Sequence, residues 1–164
     1  MSSILQIAQA LQGSSFGTAI AESTIVFPLI EGVHLLGLAL SFGLLLIVDL
    51  RLLGLVLRQV PAAKVHDQLR SWIFAGFALT IVSGILLFLA EAADVVFNYA
   101  FIAHALFIVV GLANAAFFET RLAPRAAEWG ESLKLPAAAR LAGAVSLSSW
   151  IVVVISGRLV PYLA

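Results

Sequence analysis

The sequence predicts an all-α integral membrane protein: a four-helix bundle with a short interfacial helix before it and both termini extracytoplasmic. Three observations carry this. The 164 residues are 62% hydrophobic and 11% charged, with a mean hydropathy of +1.10, far from the roughly half-apolar, quarter-charged balance of a water-soluble domain. The apolar residues fall in four runs close to the ~20 residues that a bilayer-crossing helix needs. Eight of the nine lysines and arginines lie in two of the connections between those runs. The length suits one domain, so residues 1–164 form a single membrane unit.

The elements follow in order. Residues 1–20, MSSILQIAQALQGSSFGTAI, place Ile4, Ile7, Ala8 and Leu11 at helical spacing beside Gln6, Gln9 and Gln12, the pattern of a helix lying in the membrane interface. The segment has no positive start and its apolar residues alternate with glutamines, which argues against a signal peptide. The spans are expected at 25–48, 71–90, 99–118 and 141–160. Pro28, Pro61, Pro124, Pro136 and Pro161 all fall near helix ends, where a missing N–H does least harm. Trp72, Trp129 and Tyr162 suit the headgroup zone, and Trp150 suits helix packing near mid-membrane.

Orientation follows from the cations. Arg51, Arg58, Lys64 and Arg70 separate the first two spans, and Arg121, Arg125, Lys134 and Arg140 the last two, so both connections are expected in the cytoplasm. Equal numbers of acidic and basic residues give no reason to expect nucleic acid as a partner. With no cysteine and one methionine, disulfides, thiolate metal sites and a thioether copper pathway are excluded.

Four ionisable residues lie inside spans: Glu31, His34, His104 and Arg158. Such groups are expensive in a bilayer and face a bundle interior or a functional pocket. From the entry points of their helices, Glu31, His34 and His104 come to roughly 10 to 15 Å below the outer boundary, with Arg158 about one turn from the end of its span. The face of Glu31 and His34 continues through Gly37 and Ser41. His104 shares a face with Ala100, Phe107, Gly111 and Asn114, and the second span lines up Gly76, Thr80, Ser83 and Gly84. Small faces let membrane helices approach closely.

Two neutral imidazoles from different helices can ligate a b-type haem from both sides. Arg158 then suits a haem propionate, and Glu31 can accept the second N–H of a histidine. Three other readings stand beside this one. Glu31 and Arg158 can form a buried ion pair clamping the first span to the fourth, with the histidines bonded to backbone carbonyls or hydroxyls. Glu31, His34 and His104 can hold zinc, copper or iron. Glu31 and the histidines can relay protons. His66, in AKVHDQLR, reads as a solvated loop residue, Asp49 as the partner of a nearby arginine, and Asn114 as an interhelical hydrogen bonder.

The stretches PLIEGVHLLGLALSFGLLLIVDLRLLG, SGILLFLAEAADVVFNYAFIAHALFIVVGLANAAFF and SLSSWIVVVISGRLVPY resemble an uncharacterised family of bacterial inner-membrane proteins, a domain of unknown function. The DLRLLG and GR-x-x-x-Y elements carry the resemblance. More distantly the layout is similar to the copper-resistance D membrane domain and the HemJ-type protoporphyrinogen oxidase. That likeness implies His34 as the better haem ligand and a bacterial inner-membrane location. The family's N-x-x-F-x-x-K pattern reads Asn98, Phe101 and His104 here. A two-histidine site is then particular to this chain or a subset of its relatives, or position 104 supplies only a polar contact.

The leading expectation is a haem b protein passing electrons near the periplasmic face, lodged in the lipid bilayer and suited to serve as a subunit of a larger redox assembly. The alternatives are a non-catalytic membrane subunit or assembly factor, and a small-solute or metal transporter. The sequence shows no internal repeat or broken helix of the transporter kind.

Overall fold

The computed structural model describes residues 3–129 and 135–163, nearly all of them helical. Two short helices, α1 (Ser3–Gln12) and α2 (Ser15–Ala21), precede four long ones: α3 (Val26–Leu52), α4 (Ala62–Val95), α5 (Tyr99–Phe117) and α6 (Ala137–Leu159). A π-helical turn at Phe118–Leu122 and a 3-10 segment at Ala123–Trp129 extend α5. Four helical segments are long and apolar enough to cross a membrane. Their outer surfaces agree: Leu35, Leu36, Leu106, Val109, Ile151 and Ile155 are all exposed, an apolar surface that lipid tolerates and water does not. Both termini lie at one end of the bundle, and the α3–α4 and α5–α6 connections at the other.

The helices associate as two hairpins, α3 with α4 and α5 with α6, joined where α3 packs on α6. Small residues set the approach within the first hairpin. A Cβ on Gly76 would lie 2.6 Å from the Ser41 backbone nitrogen, and one on Gly37 would lie 2.6 Å from Thr80 Oγ1. Ser41 and Thr80 return their hydroxyls to their own helices, donating to the carbonyls of Gly37 and Gly76 at 2.9 Å each. No polar group is therefore left bare at this contact, which lets two backbones meet without lipid between them. In the second hairpin Gly111 lies flat against the Trp150 indole, and Asn114 donates to the Ala142 carbonyl at 3.0 Å. The interhelical bond expected of Asn114 is present. Gly143 on α6 closes on Leu52 of α3.

Two boundaries differ from the hydropathy reading. α4 begins at Ala62, well before residue 71, because Pro61 starts a polar but amphipathic first stretch. Ala62, Val65 and His66 are buried while Lys64 and Asp67 are exposed, so packing rather than lipid stabilises these turns. At the other end α4 breaks at Glu91, whose φ of −127° and ψ of 17° are not helical. The N-terminal helices dock at that break. Gln12 accepts from the Ala93 amide at 2.7 Å and donates to Asp94 Oδ2 at 2.8 Å, while Gly17 sits against the Leu89 carbonyl. The glutamine side chain thus occupies an amide near the break.

Gln12→Ala leaves the Ala93 amide without that acceptor. The expected result is a stability loss of about 1 kcal/mol, read by thermal unfolding in detergent, together with faster amide exchange at residues 3–21 and unchanged exchange in α3 and α6.

Candidate cofactor site

α3 and α5 both start at the end of the bundle that carries the termini, and each presents one histidine near that end. His34 stands against α4. Its Nδ1 lies 2.9 Å from the Thr80 carbonyl and 3.1 Å from Ser83 Oγ, and Gly84 leaves room for the ring, since a Cβ there would lie 3.0 Å from His34 Cε1. His104 stands against α6 in the same way. Its Nδ1 lies 2.8 Å from the Val153 carbonyl, and a Cβ on Gly157 would lie 2.8 Å from both Cε1 and Nδ1 of the ring.

The two seats are built alike. Each consists of a glycine under the ring, a serine just before it, and an accepting carbonyl four residues before the glycine: Thr80 to Gly84, and Val153 to Gly157. Ser83 donates to the Leu79 carbonyl and Ser156 to the Val152 carbonyl, both at 2.6 Å. A carbonyl cannot donate, so the proton of each neutral imidazole sits on Nδ1. Among the described residues neither Nε2 has a hydrogen-bond partner, and the lone pair of each remains available to a metal.

The two seats lie on similar short stretches, TIVSG (80–84) and VVISG (153–157). A repeated Ser-Gly behind β-branched residues was the signal that could have found them. α3 and α5 pack on different neighbours and make little contact with each other, so the two imidazoles come from opposite sides of the bundle. At the same end Phe88 of α4 stacks on Phe101 of α5, with ring centroids 5.3 Å apart and planes 8° apart.

The other two in-span candidates lie outside these seats. Glu31 is exposed, and Arg158 is exposed with its guanidinium on Tyr162, donating to the hydroxyl at 2.7 Å and lying 4.8 Å over the ring. The expected Glu31–Arg158 ion pair is not formed among the described residues: Arg158 turns along its own helix to a partner four residues on, which costs it no burial. Nor do Glu31, His34 and His104 converge, and no group of three His, Asp or Glu side chains suited to a metal ion occurs among the described residues. The second N–H of each histidine goes to a backbone carbonyl rather than to Glu31.

At the opposite end of the bundle, His66 is a correction. It is helical and buried, 7% exposed. Its Nε2 lies 2.8 Å from Glu119 Oε1, while Arg70 Nε donates to Glu119 Oε2 at 2.8 Å, and the imidazole meets Phe118 edge-on. The intervening Phe118–Leu122 turn is what brings Glu119 onto α4. Asp49 is a second correction: it is buried, and among the described residues it pairs with no arginine. The Arg51 guanidinium is held instead by the Val60 carbonyl at 2.7 Å.

No curated protein and no solved structure matches the chain. The profile of a family of unknown function, DUF6644, matches residues 13–163. That match takes in all four long helices and both histidine seats, and the chain belongs to this family.

Proposed function

We propose that the chain is a haem b-binding protein of the bacterial inner membrane that passes electrons near the periplasmic face, whose haem iron His34 and His104 would hold, working as a subunit of a larger redox assembly. The observation that carries this reading is the doubled histidine seat. A ring that served only to join two helices would need nothing more than one hydrogen bond. These two rings share one tautomer, one carbonyl register and one glycine platform, and among the described residues neither Nε2 has a partner.

The fit to haem rests on the donor set. Neutral imidazole nitrogens suit haem iron, and an Nδ1–H donated to a carbonyl fixes the ring and raises the basicity of the other nitrogen. When bound, the group supplies reversible one-electron chemistry. The chain's own part is to hold two imidazoles from opposite helices, to surround them with apolar side chains and to exclude water. Arg158, exposed one residue beyond the Gly157 platform and bonded to Tyr162, would supply a cation for a propionate. Placing the termini in the periplasm follows from the basic residues of the two connections. The distant likeness to the copper-resistance D and HemJ-type domains points the same way.

The test is a reduced-minus-oxidised visible spectrum of the protein purified in mild detergent. The expected result is a low-spin b-type α band that is lost in both His34→Ala and His104→Ala while each variant still elutes as a single species. A colourless wild-type protein, purified from cells supplied with haem precursor, overturns the proposal.

A further inference from the structure

At the end of the bundle away from the histidine seats, a cavity of about 310 Å³ lies between the two hairpins. Its walls are mostly apolar, with Ile73, Phe74 and Phe77 from α4 facing Leu112, Ala115 and Phe118 of α5 and its extension. Pockets of this size and character take small ligands oriented by a few polar groups. Here those groups are Asp49, His66, Arg70, Asn114, Glu119 and Ser146.

Most of them are already matched. Asn114 gives its amide to Ala142, and the two oxygens of Glu119 are met by His66 and Arg70. Asp49 differs: it is 2% exposed, and although Ser146 on the same wall bonds its carboxyl, its Oδ2 has no hydrogen-bond partner. A buried acceptor left without a donor is a standing demand for one. It sits on the wall of a space large enough to hold the molecule that would supply it.

We infer that this cavity binds a lipid-soluble aromatic ring bearing a hydroxyl, the head-group chemistry of a quinol, with the hydroxyl donating to Asp49. Three features select that class. The free atom belongs to a carboxyl group, which in its ionised form only accepts, so the ligand that meets that form brings an O–H or N–H. Phe74, Phe77 and Phe118 offer ring faces and edges to a planar guest. Phe74, Ala78, Ile81 and Leu112 are exposed on the outer surface as well as lining the cavity, so the entrance opens on lipid. This site is independent of the haem proposal and lies at the other end of the helices.

The test is isothermal titration calorimetry of the full chain in detergent with 2-heptyl-4-hydroxyquinoline N-oxide as the hydroxylated probe. The expected result is saturable one-site binding, and affinity at least about tenfold weaker for 2-heptylquinoline N-oxide, which lacks only the hydroxyl. Asp49→Leu and Ala115→Phe, the second of which fills the space and removes no hydrogen bond, are each expected to weaken the hydroxylated probe by a similar factor. Absence of saturable binding to the wild type, equal affinity for the two probes, or unchanged affinity in an Ala115→Phe protein that elutes like the wild type overturns the inference. The comparison of probes uses only the native chain, so failure of a variant to fold does not shield the proposal.

Discussion

Gly76→Leu is expected to separate α3 from α4 and to yield a protein that aggregates or unfolds on extraction. Even the first carbon of a side chain at this position would stand 2.6 Å from the Ser41 backbone nitrogen and 2.9 Å from its Cα. Backbone cannot turn aside as a flexible side chain does, so the helices must part. Parting them undoes the matched contact at Gly37 and Thr80 and uncovers Ser41, which is fully buried. Overpacking a tight site typically costs 1 to 3 kcal/mol where neighbours can adjust, and a backbone obstruction exceeds about 3 kcal/mol. Thermal unfolding and size-exclusion elution in detergent check this, with Gly76→Ala expected to fall between wild type and Gly76→Leu. Gly43→Leu is the control, because nothing lies within 4 Å of a Cβ there, and it should elute as the wild type does.

Gly157→Val is the second large effect, and on the haem proposal it is expected to act on the cofactor rather than on the fold. A Cβ at 2.8 Å from His104 Cε1 and Nδ1 expels the ring from its platform and breaks its bond to the Val153 carbonyl. Residues that orient a metal ligand typically contribute 10- to 100-fold in affinity, so haem retention through purification should drop by about that factor. The readout is haem per polypeptide from the pyridine haemochrome spectrum, alongside helicity by circular dichroism, which should be unchanged. Gly84→Val should act on His34 in the same direction, and the double variant should carry no haem. Full haem content in Gly157→Val would show that His104 is not held for this purpose.

Much of this molecule is legible in its amino acids, for an identifiable reason. Hydropathy reports how a segment partitions between water and lipid, and that fixes the four long helices. It does not report packing against neighbours, so the first turns of α4, polar in composition but buried on one side, have the hydropathy of a loop, and His66 that of a solvated residue. Small residues at helical spacing correctly marked the Gly37–Ser41 and Gly76–Thr80 faces as contact surfaces. The pairing of those faces, and the register that sets His34 on Thr80 and His104 on Val153, depends on residues about fifty positions apart. No periodicity within one helix encodes that. Asp49 and Arg51 show the same limit, since opposite charges two residues apart project from different sides of a helix and found separate partners or none.

The doubled seat also makes each hairpin self-sufficient. A helical pair that contains the ring, the platform beneath it and the carbonyl that steadies it is half a site complete in itself. Two identical pairs related by a twofold axis along the bundle would bring together the same two imidazoles. In the present chain each hairpin holds its own ring by its own carbonyl, so a substitution in one seat is expected to leave the hydrogen bond of the other in place.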